Sequence, residues 1–393
     1  MQIFQTKASR YLLWICTAFI GLTARISIAL LGHNGDFDFW IRHAEVLRSG
    51  GNLYLGGESY GYGPIWMIVL RTADVVQSFF PDNRQIFRLV IIIVLSGADF
   101  FIARLIARDF SFIAGIVFFL NPVSIIISGY HNQFDNLALS FGLFATLKIA
   151  RGTESTPNYN NRKFFIGLLL LGLSLSTKQI LILFPVFLLF QLQGTRQRFL
   201  AIAVPYLVFA LSFLPWMTSP ERIETLIREV FAPRGRSGLL LTLIGADYAG
   251  VISDSNLGEV ARSISTVLFI FVMILFGWIM RKRPLIHSLI IYLVLMVAVS
   301  PAYSQQQLIL PLVAVFVYAT IELKVFYLLT LLFMIQNSDE LGIEFFFPHF
   351  FRLNGTIYAW LQVLLIIFSL RLVASKYFPI PKSNHLREAL REV

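Results

Sequence analysis

The feature that most constrains this chain is a succession of apolar runs separated by short polar turns. The first extends from Tyr11 to Leu31, and others follow near 63–80, 87–106, 111–129, 134–151, 163–177, 179–193, 199–217, 263–280, 285–300, 305–320, 323–336 and 355–375. A helix crosses the hydrocarbon of a bilayer with about 20 apolar residues. The pattern predicts an all-α, polytopic integral membrane protein with about 12 or 13 transmembrane helices. Composition agrees, since only 14% of the 393 residues are charged and 38 are Phe, against about 25% charged in a soluble domain. A disordered chain, a disulfide scaffold and an ordinary soluble enzyme are excluded. The single cysteine, Cys16, leaves no partner for an internal disulfide and no cysteine-based metal cluster. The first run is too long for a signal peptide, lacks a small-residue cleavage site and is followed by many more, so it reads as a retained helix.

The formal charge of +10 is spread over turns: Arg104 with Arg108, Arg151 with Arg162 and Lys163, Arg196 with Arg198, Arg281 to Arg283, and the C-terminal tail. This is the positive-inside pattern of a membrane protein. It forms no long stripe, so nucleic acid is not the partner it implies. It puts Lys7 and Arg10 in the cytoplasm. The net acidic segment 32–62, the turn at Lys178, and segments 218–262, 300–305 and 337–353 then fall outside. Three regions follow: an N-terminal transmembrane module over 1–217 that includes the outer loop 32–62, a second outer segment over 218–262, and a C-terminal module with cytoplasmic tail over 263–393. The middle segment contains a candidate interfacial helix, SPERIETLIREVF, and a basic turn, APRGRSG. The topology has one conflict, because 63–80 and 87–106 together must make a single crossing. One early segment is therefore broken or re-entrant, either at Asn121-Pro122 or in 63–80, which carries Arg71 and Asp74. No internal repeat is visible, which argues against an inverted-repeat transporter.

Polar residues gather at five places on the outer side. Gly35-Asp36-Phe37-Asp38-Phe39-Trp40 places two carboxylates among aromatics at the membrane mouth, where desolvation raises a carboxylate's basicity and suits it to general-base work. Alternatively the pair serves topology alone; two oxygens are too few for a complete divalent-cation site. Ser128 to Asn136 sets six hydrogen-bonding residues between two apolar runs, a costly arrangement near a bilayer. There His131 and Gln133 offer donors to a phosphate or sugar, and Asp135 either caps the next helix or serves the site. Lys178, beside Gln179, is either a snorkelling residue or an anion ligand. Arg234-Gly235-Arg236 suits a phosphate, and Ser300 to Gln307 is a further polar knot. Buried charges within spans, such as Asp99 and Arg104, read as structural pairs. Together these residues suit transfer of a group away from a phosphate: His, Lys and Arg hold the anion while Asp deprotonates an acceptor hydroxyl.

The same residues resemble the GT-C superfamily of membrane glycosyltransferases, which use polyprenyl-phosphate-linked sugars. GDFDFWIRHAEVLRSGGNLY (35–54) followed by YGYGPIW (60–66) is similar to the first outer loop of that superfamily, in both the GPI-anchor mannosyltransferases and the glucosyltransferases of N-glycan assembly. HNQF (131–134), TKQ (177–179) and FAPRG (231–235) look closer to the glucosyltransferases, and order and spacing agree over about the first 310 residues. Two departures stand out: Asp135 replaces an Asn, and SQQQ (304–307) lacks the charged residues found there in those enzymes. The resemblance implies catalysis by Asp36, with Asp38 as the second acidic position. It implies donor-phosphate contacts from the His131, Lys178 and Arg234 elements, to which Gln133, Asp135 and Gln179 belong. It further implies a metal-independent inverting displacement without cofactor. The expected donor is a polyprenyl-phosphate hexose, mannose or glucose. The expected acceptor is a glycolipid, a lipid-linked glycan or a protein. The setting is a bacterial inner membrane or the endoplasmic reticulum, with chemistry on the non-cytoplasmic face. A transporter or flippase of lipid-linked sugars is the main alternative, and a non-catalytic subunit of a glycan-assembly complex is another.

Overall fold

The computed structural model describes residues 6–55, 60–81, 83–153, 161–217, 220–231, 256–300, 305–336, 338, 341 and 354–374. These residues are helical, with no strand among them. Chain order gives α1 (Lys7–Leu31), α2 (Gly35–Arg48), α3 (Pro64–Ser78), α4 (Gln85–Asp109), α5 (Phe112–Leu120), α6 (Pro122–Ile125), α7 (Asp135–Thr153) and α8 (Asn161–Thr177). Then follow α9 (Phe184–Gln191), α10 (Thr195–Ser212), α11 (Pro220–Phe231), α12 (Asn256–Ile279), α13 (Leu285–Ala298), α14 (Leu312–Tyr318), α15 (Ile321–Gln336) and α16 (Asn354–Ala374).

Five helical stretches among the described residues are long and apolar enough to cross a bilayer: Lys7–Leu31, Gln85–Asp109, Thr195–Trp216, Ser263–Lys282 and Ile357–Ala374. A sixth crossing arises if the bent pair Phe112–Leu120 and Pro122–Tyr130 counts as one span. Against the 12 or 13 spans expected from the apolar runs, the described residues hold five or six helices long and apolar enough to cross, plus shorter apolar ones, such as Leu285–Ala298 and Gln305–Tyr318. The reason is local. Run 63–80 folds only over the 15 residues of α3, and run 179–193 is divided between a 3₁₀ turn at Gln179–Leu181 and α9.

Lipid-facing sides are legible in the packing. Helix α1 turns one stripe inward, Trp14, Thr17, Gly21, Arg25 and Ala29, at helical spacing. Its other sides expose Tyr11, Ile15, Phe19 and Leu30. Helix α12 likewise exposes Val267 and Phe271. Contiguous exposed apolar surface of this kind is what a bilayer covers. Inside, α7 lies along α8, α8 along α10, and α4 against α5 and α7.

A break lies at Asn121-Pro122, one of the two places expected, where α5 and the following segment meet at 44°. Proline has no N–H to continue the ladder, and its fixed φ starts a new helix well. Asn121 bridges the break: its Oδ1 accepts from Ser124 N at 2.8 Å and its amide donates to Phe118 O. Beyond α6 the chain widens into a π-type turn over Ile126–Tyr130, closed by His131 N donating to Ile126 O at 3.0 Å. The helix therefore ends inside the bundle, and loop 131–134 begins there.

A buried ion pair fixes this region. Arg25 on α1 meets Asp99 on α4 at 2.8 Å, both side chains fully buried. Asp99 Oδ2 also accepts from Ser124 at 2.9 Å and Ser128 at 2.6 Å, and Oδ1 accepts from Asn136. Asp99 is a structurally paired charge, as expected, and its partner is Arg25. Arg104 instead lies over the Trp14 ring, 5.0 Å from its centroid.

Candidate functional site

Segment 32–62, expected as a loop, opens with helix α2 over Gly35–Arg48. Its polar look comes from the exposed Asp38, Arg42, Glu45 and Arg48, whereas Phe37, Trp40, His43 and Ala44 are buried at helical spacing. Asp36 and Asp38 both lie in its first turn. Residues two apart on a helix do not share a face. Asp36 is half-buried and turns to the protein, whereas Asp38 is exposed, with His33 Nδ1 3.9 Å away.

Asp36 Oδ2 accepts two amide hydrogen bonds, from Asn34 Nδ2 at 2.6 Å and from Gln306 Nε2 at 2.9 Å. Oδ1 has no hydrogen bond among the described residues. The Asn34 amide also meets His131 Nδ1 at 2.6 Å. Donor accounting then fixes the histidine. Asn34 Nδ2 donates one hydrogen to Asp36 and the other to Nδ1, so Nδ1 accepts and the proton sits on Nε2. Nε2 in turn faces Ser338 Oγ at 3.3 Å, and that hydroxyl donates to Met334 O at 2.7 Å. Burial pushes the His131 pKa down to about 4, only partly opposed by the charge of Asp36. His131 is thus neutral at pH 7 and acts by orientation rather than by charge.

The loop behind it is held by Arg88. Its Nε donates to Asn132 Oδ1 at 3.0 Å, its Nη2 donates to the carbonyls of Gly32, Gly129 and Tyr130 at 2.6, 3.1 and 3.2 Å, and its Nη1 donates to Ala29 O. Asn132 adopts a left-handed φ of 52°, which Asn tolerates better than most residues. Trp40 Nε1 donates to Asn132 O at 3.2 Å, and the Phe134 ring stacks on Trp66 at 4.2 Å.

Lys178 sits in the turn after α8 and meets Asp135 Oδ2 at 2.6 Å, with both side chains nearly or fully buried. Its ammonium lies 5.0 Å from the Phe134 ring centre and 5.3 Å from that of Tyr62. Burial alone would lower the Lys178 pKa, but Asp135, Tyr62 and Asp36 together raise it, so the ammonium stays charged. Tyr62 is raised, chiefly by burial, and keeps its proton. Asp135 was expected to cap α7 or serve the site; its carboxylate does neither capping bond, and Phe134 O accepts the first helical N–H groups. Gln179 Nε2 donates to Gly61 O at 3.3 Å, tying the Lys178 turn to segment 60–63. Gly63 N donates to Thr177 O at 3.3 Å, and a Cβ there would stand 1.9 Å from Ser176 O, so only glycine permits this approach.

Four buried acceptors in this neighbourhood have no donor among the described residues: Asn34 Oδ1, Gln133 Oε1, Asp135 Oδ1 and Gln307 Oε1. Buried polar atoms are ordinarily satisfied; unpaired ones also occur elsewhere in the bundle, at Ser96, Thr330 and Gln362. No group of three metal-ligating side chains occurs among the described residues. The structure brings together Asp36, His131, Gln133, Asp135, Lys178 and Gln179, and leaves Asp38 outside. Arg234 lies outside the described residues. Asn34, Arg88 and Ser338 were missed, and Gln306 was set aside as part of a weak knot. Only Arg88, a lone charge beginning an apolar run, carried a sequence signal. Comparison of the chain with family models, curated proteins and solved structures finds no match.

Proposed function

We propose that this membrane protein is a GT-C-type glycosyltransferase that moves a hexose from a polyprenyl-phosphate donor to an acceptor hydroxyl. The observation that carries the reading is the carboxylate of Asp36. One of its oxygens is held by two amides while the other stays open, beside four buried acceptors that lack donors. Hydroxyl groups of a sugar are donors of the required kind.

In the proposed reaction Asp36 Oδ1 takes the proton of the acceptor hydroxyl. The freed oxygen bonds to the anomeric carbon as the bond from that carbon to the phosphate oxygen breaks, and its electron pair leaves with the polyprenyl phosphate. Configuration inverts at the carbon. Asn34 and Gln306 are positioning residues for the base, and His131 locks Asn34. The described part of the site has two carboxylates, Asp36 and Asp135, against the single ammonium of Lys178. The donor phosphate therefore draws on the N–H groups of Lys178 that Asp135 leaves, and on Arg234. An apolar groove of about 600 Å³ lined by Pro64, Met67, Ile68 and Trp216 suits the lipid tail. Pro64, in its wall, follows Gly63, which packs on the Lys178 turn.

The test measures transfer from radiolabelled polyprenyl-phosphate mannose and polyprenyl-phosphate glucose to a total lipid extract, in wild type and Asp36→Asn. Label is expected to move from one donor, with a drop of about 10²–10⁴-fold in the variant, the range of general-base catalysis. Full transfer by a normally folded Asp36→Asn protein refutes the proposal. Donor binding without transfer from either sugar favours the flippase alternative.

A further inference from the structure

A second gathering of charged side chains lies at the other end of α1. Asp36 follows the C-terminus of that helix, whereas its N-terminal turns, with the end of α4, enclose a cavity of about 690 Å³. The 25 residues of α1 put roughly 37 Å between the two places. Lys7 and Arg10 reach the cavity from α1, and Arg104 and Arg108 from α4. Arg108 is already met by Asp109 through two bonds of 2.8 Å. Lys7 and Arg104 have no carboxylate partner among the described residues. Arg104 is held over the Trp14 ring instead, which fixes a guanidinium without neutralising it.

Below these cations the same cavity turns apolar. Its walls there are Trp14, Phe100 and Phe101. Gly97 leaves a gap, since a Cβ at that position would meet nothing within 4 Å. Gly97, Phe101, Arg104 and Arg108 are spaced 4, 3 and 4 residues apart, one face of α4. They stretch about 16 Å along it. Basic residues that merely mark a membrane boundary lie on convex surface and snorkel. Here they rim a concavity whose charged mouth continues into an apolar channel along a lipid-facing helix.

We propose that this cavity is a binding site for one anionic phospholipid, with the phosphate at Lys7 and Arg104 and an acyl chain along Gly97 and Phe101. Basic pockets between helices at the cytoplasmic side are suited to such headgroups. The site is independent of the glycosyl-transfer reading.

The experiment uses the full chain in a neutral detergent and three probes: phosphatidylglycerol, phosphatidylcholine and glycerol phosphate. Retained lipid is counted by native mass spectrometry, and affinity is measured by titration with tail-labelled lipid. Phosphatidylglycerol is expected to bind at least tenfold more tightly than phosphatidylcholine, at one molecule per chain. The double variant Lys7→Gln/Arg104→Gln is expected to lose that preference. Gly97→Leu, which fills the open channel without touching a charge, is expected to weaken phosphatidylglycerol about tenfold at a melting temperature no lower than that of wild type. Equal binding of the two lipids, or an unaltered preference in both variants, overturns the proposal. So does glycerol phosphate competing as well as the whole lipid, which would make the site one for a soluble phosphate ester.

Discussion

Replacing Asp99 by Leu tests the structural account most directly. The Arg25–Asp99 pair is fully buried, and Asp99 takes bonds from Arg25, Ser124, Ser128 and Asn136. Removing one member of a buried pair costs about 3–5 kcal/mol, because the remaining charge is left uncompensated. Arg25 retains carbonyl partners at Gly21 and Phe119, at 3.0 and 3.1 Å, so about 4 kcal/mol is the expected cost of Asp99→Leu. Arg25→Leu strands the carboxylate but leaves it three neutral donors, and about 3 kcal/mol is expected. The double variant strands no charge. Both serines can bond back to helix carbonyls, so its cost is chiefly the lost partner of Asn136, about 1–2 kcal/mol. The assay is unfolding in mixed micelles, followed by circular dichroism, for the three variants and wild type. Single variants that each cost under about 1 kcal/mol, or a double variant that costs the sum of the two, would refute the reasoning.

Two further outcomes follow from the site. His131 binds a proton near pH 4 when folded and near 6.5 when unfolded. The unfolded chain therefore takes up more protons in that window, and stability falls as pH drops from about 6.5 to 4. The loss is on the order of 3 kcal/mol in full, and unfolding of His131→Gln between pH 7 and 5 should show a correspondingly shallower dependence. Gly63→Ala drives a methyl into Ser176 O and is expected to cost about 3 kcal/mol, whereas Gly97→Ala enters open space and gains up to about 1 kcal/mol of helix propensity; comparing the two melting temperatures checks the contrast.

Much of this was legible in the residues. Proline after asparagine within an apolar run marked 121–122 as one of two candidate breaks, because the cause is local and covalent. The meeting of Asp36, His131 and Lys178 agrees with the charge pattern, which assigned all three of their segments to one side. Helix α2 was obscured because its buried stripe is short and interrupted by charge, which lowers the apparent hydrophobicity of the whole segment. The partner of Asp99 was not legible, since Arg25 and Arg104 both lie in apolar runs and only the packing of α1 on α4 chooses between them. Asn34 and Gln306 have neutral, short-range chemistry that leaves no periodic or charge signal, so their contribution emerges only when distant segments meet.

The clasp on Asp36 brings in Asn34, two residues away, and Gln306, 270 residues away. At roughly 5–20 residues per second of synthesis, about 15–50 seconds separate the appearance of the carboxylate from that of its second amide. Through that interval the first helices are in the membrane with their acid held on one side only. The clasp on Asp36 is completed late, by the part of the chain that finishes the bundle, and a truncated product with the first eleven helices carries Asp36 without its second amide.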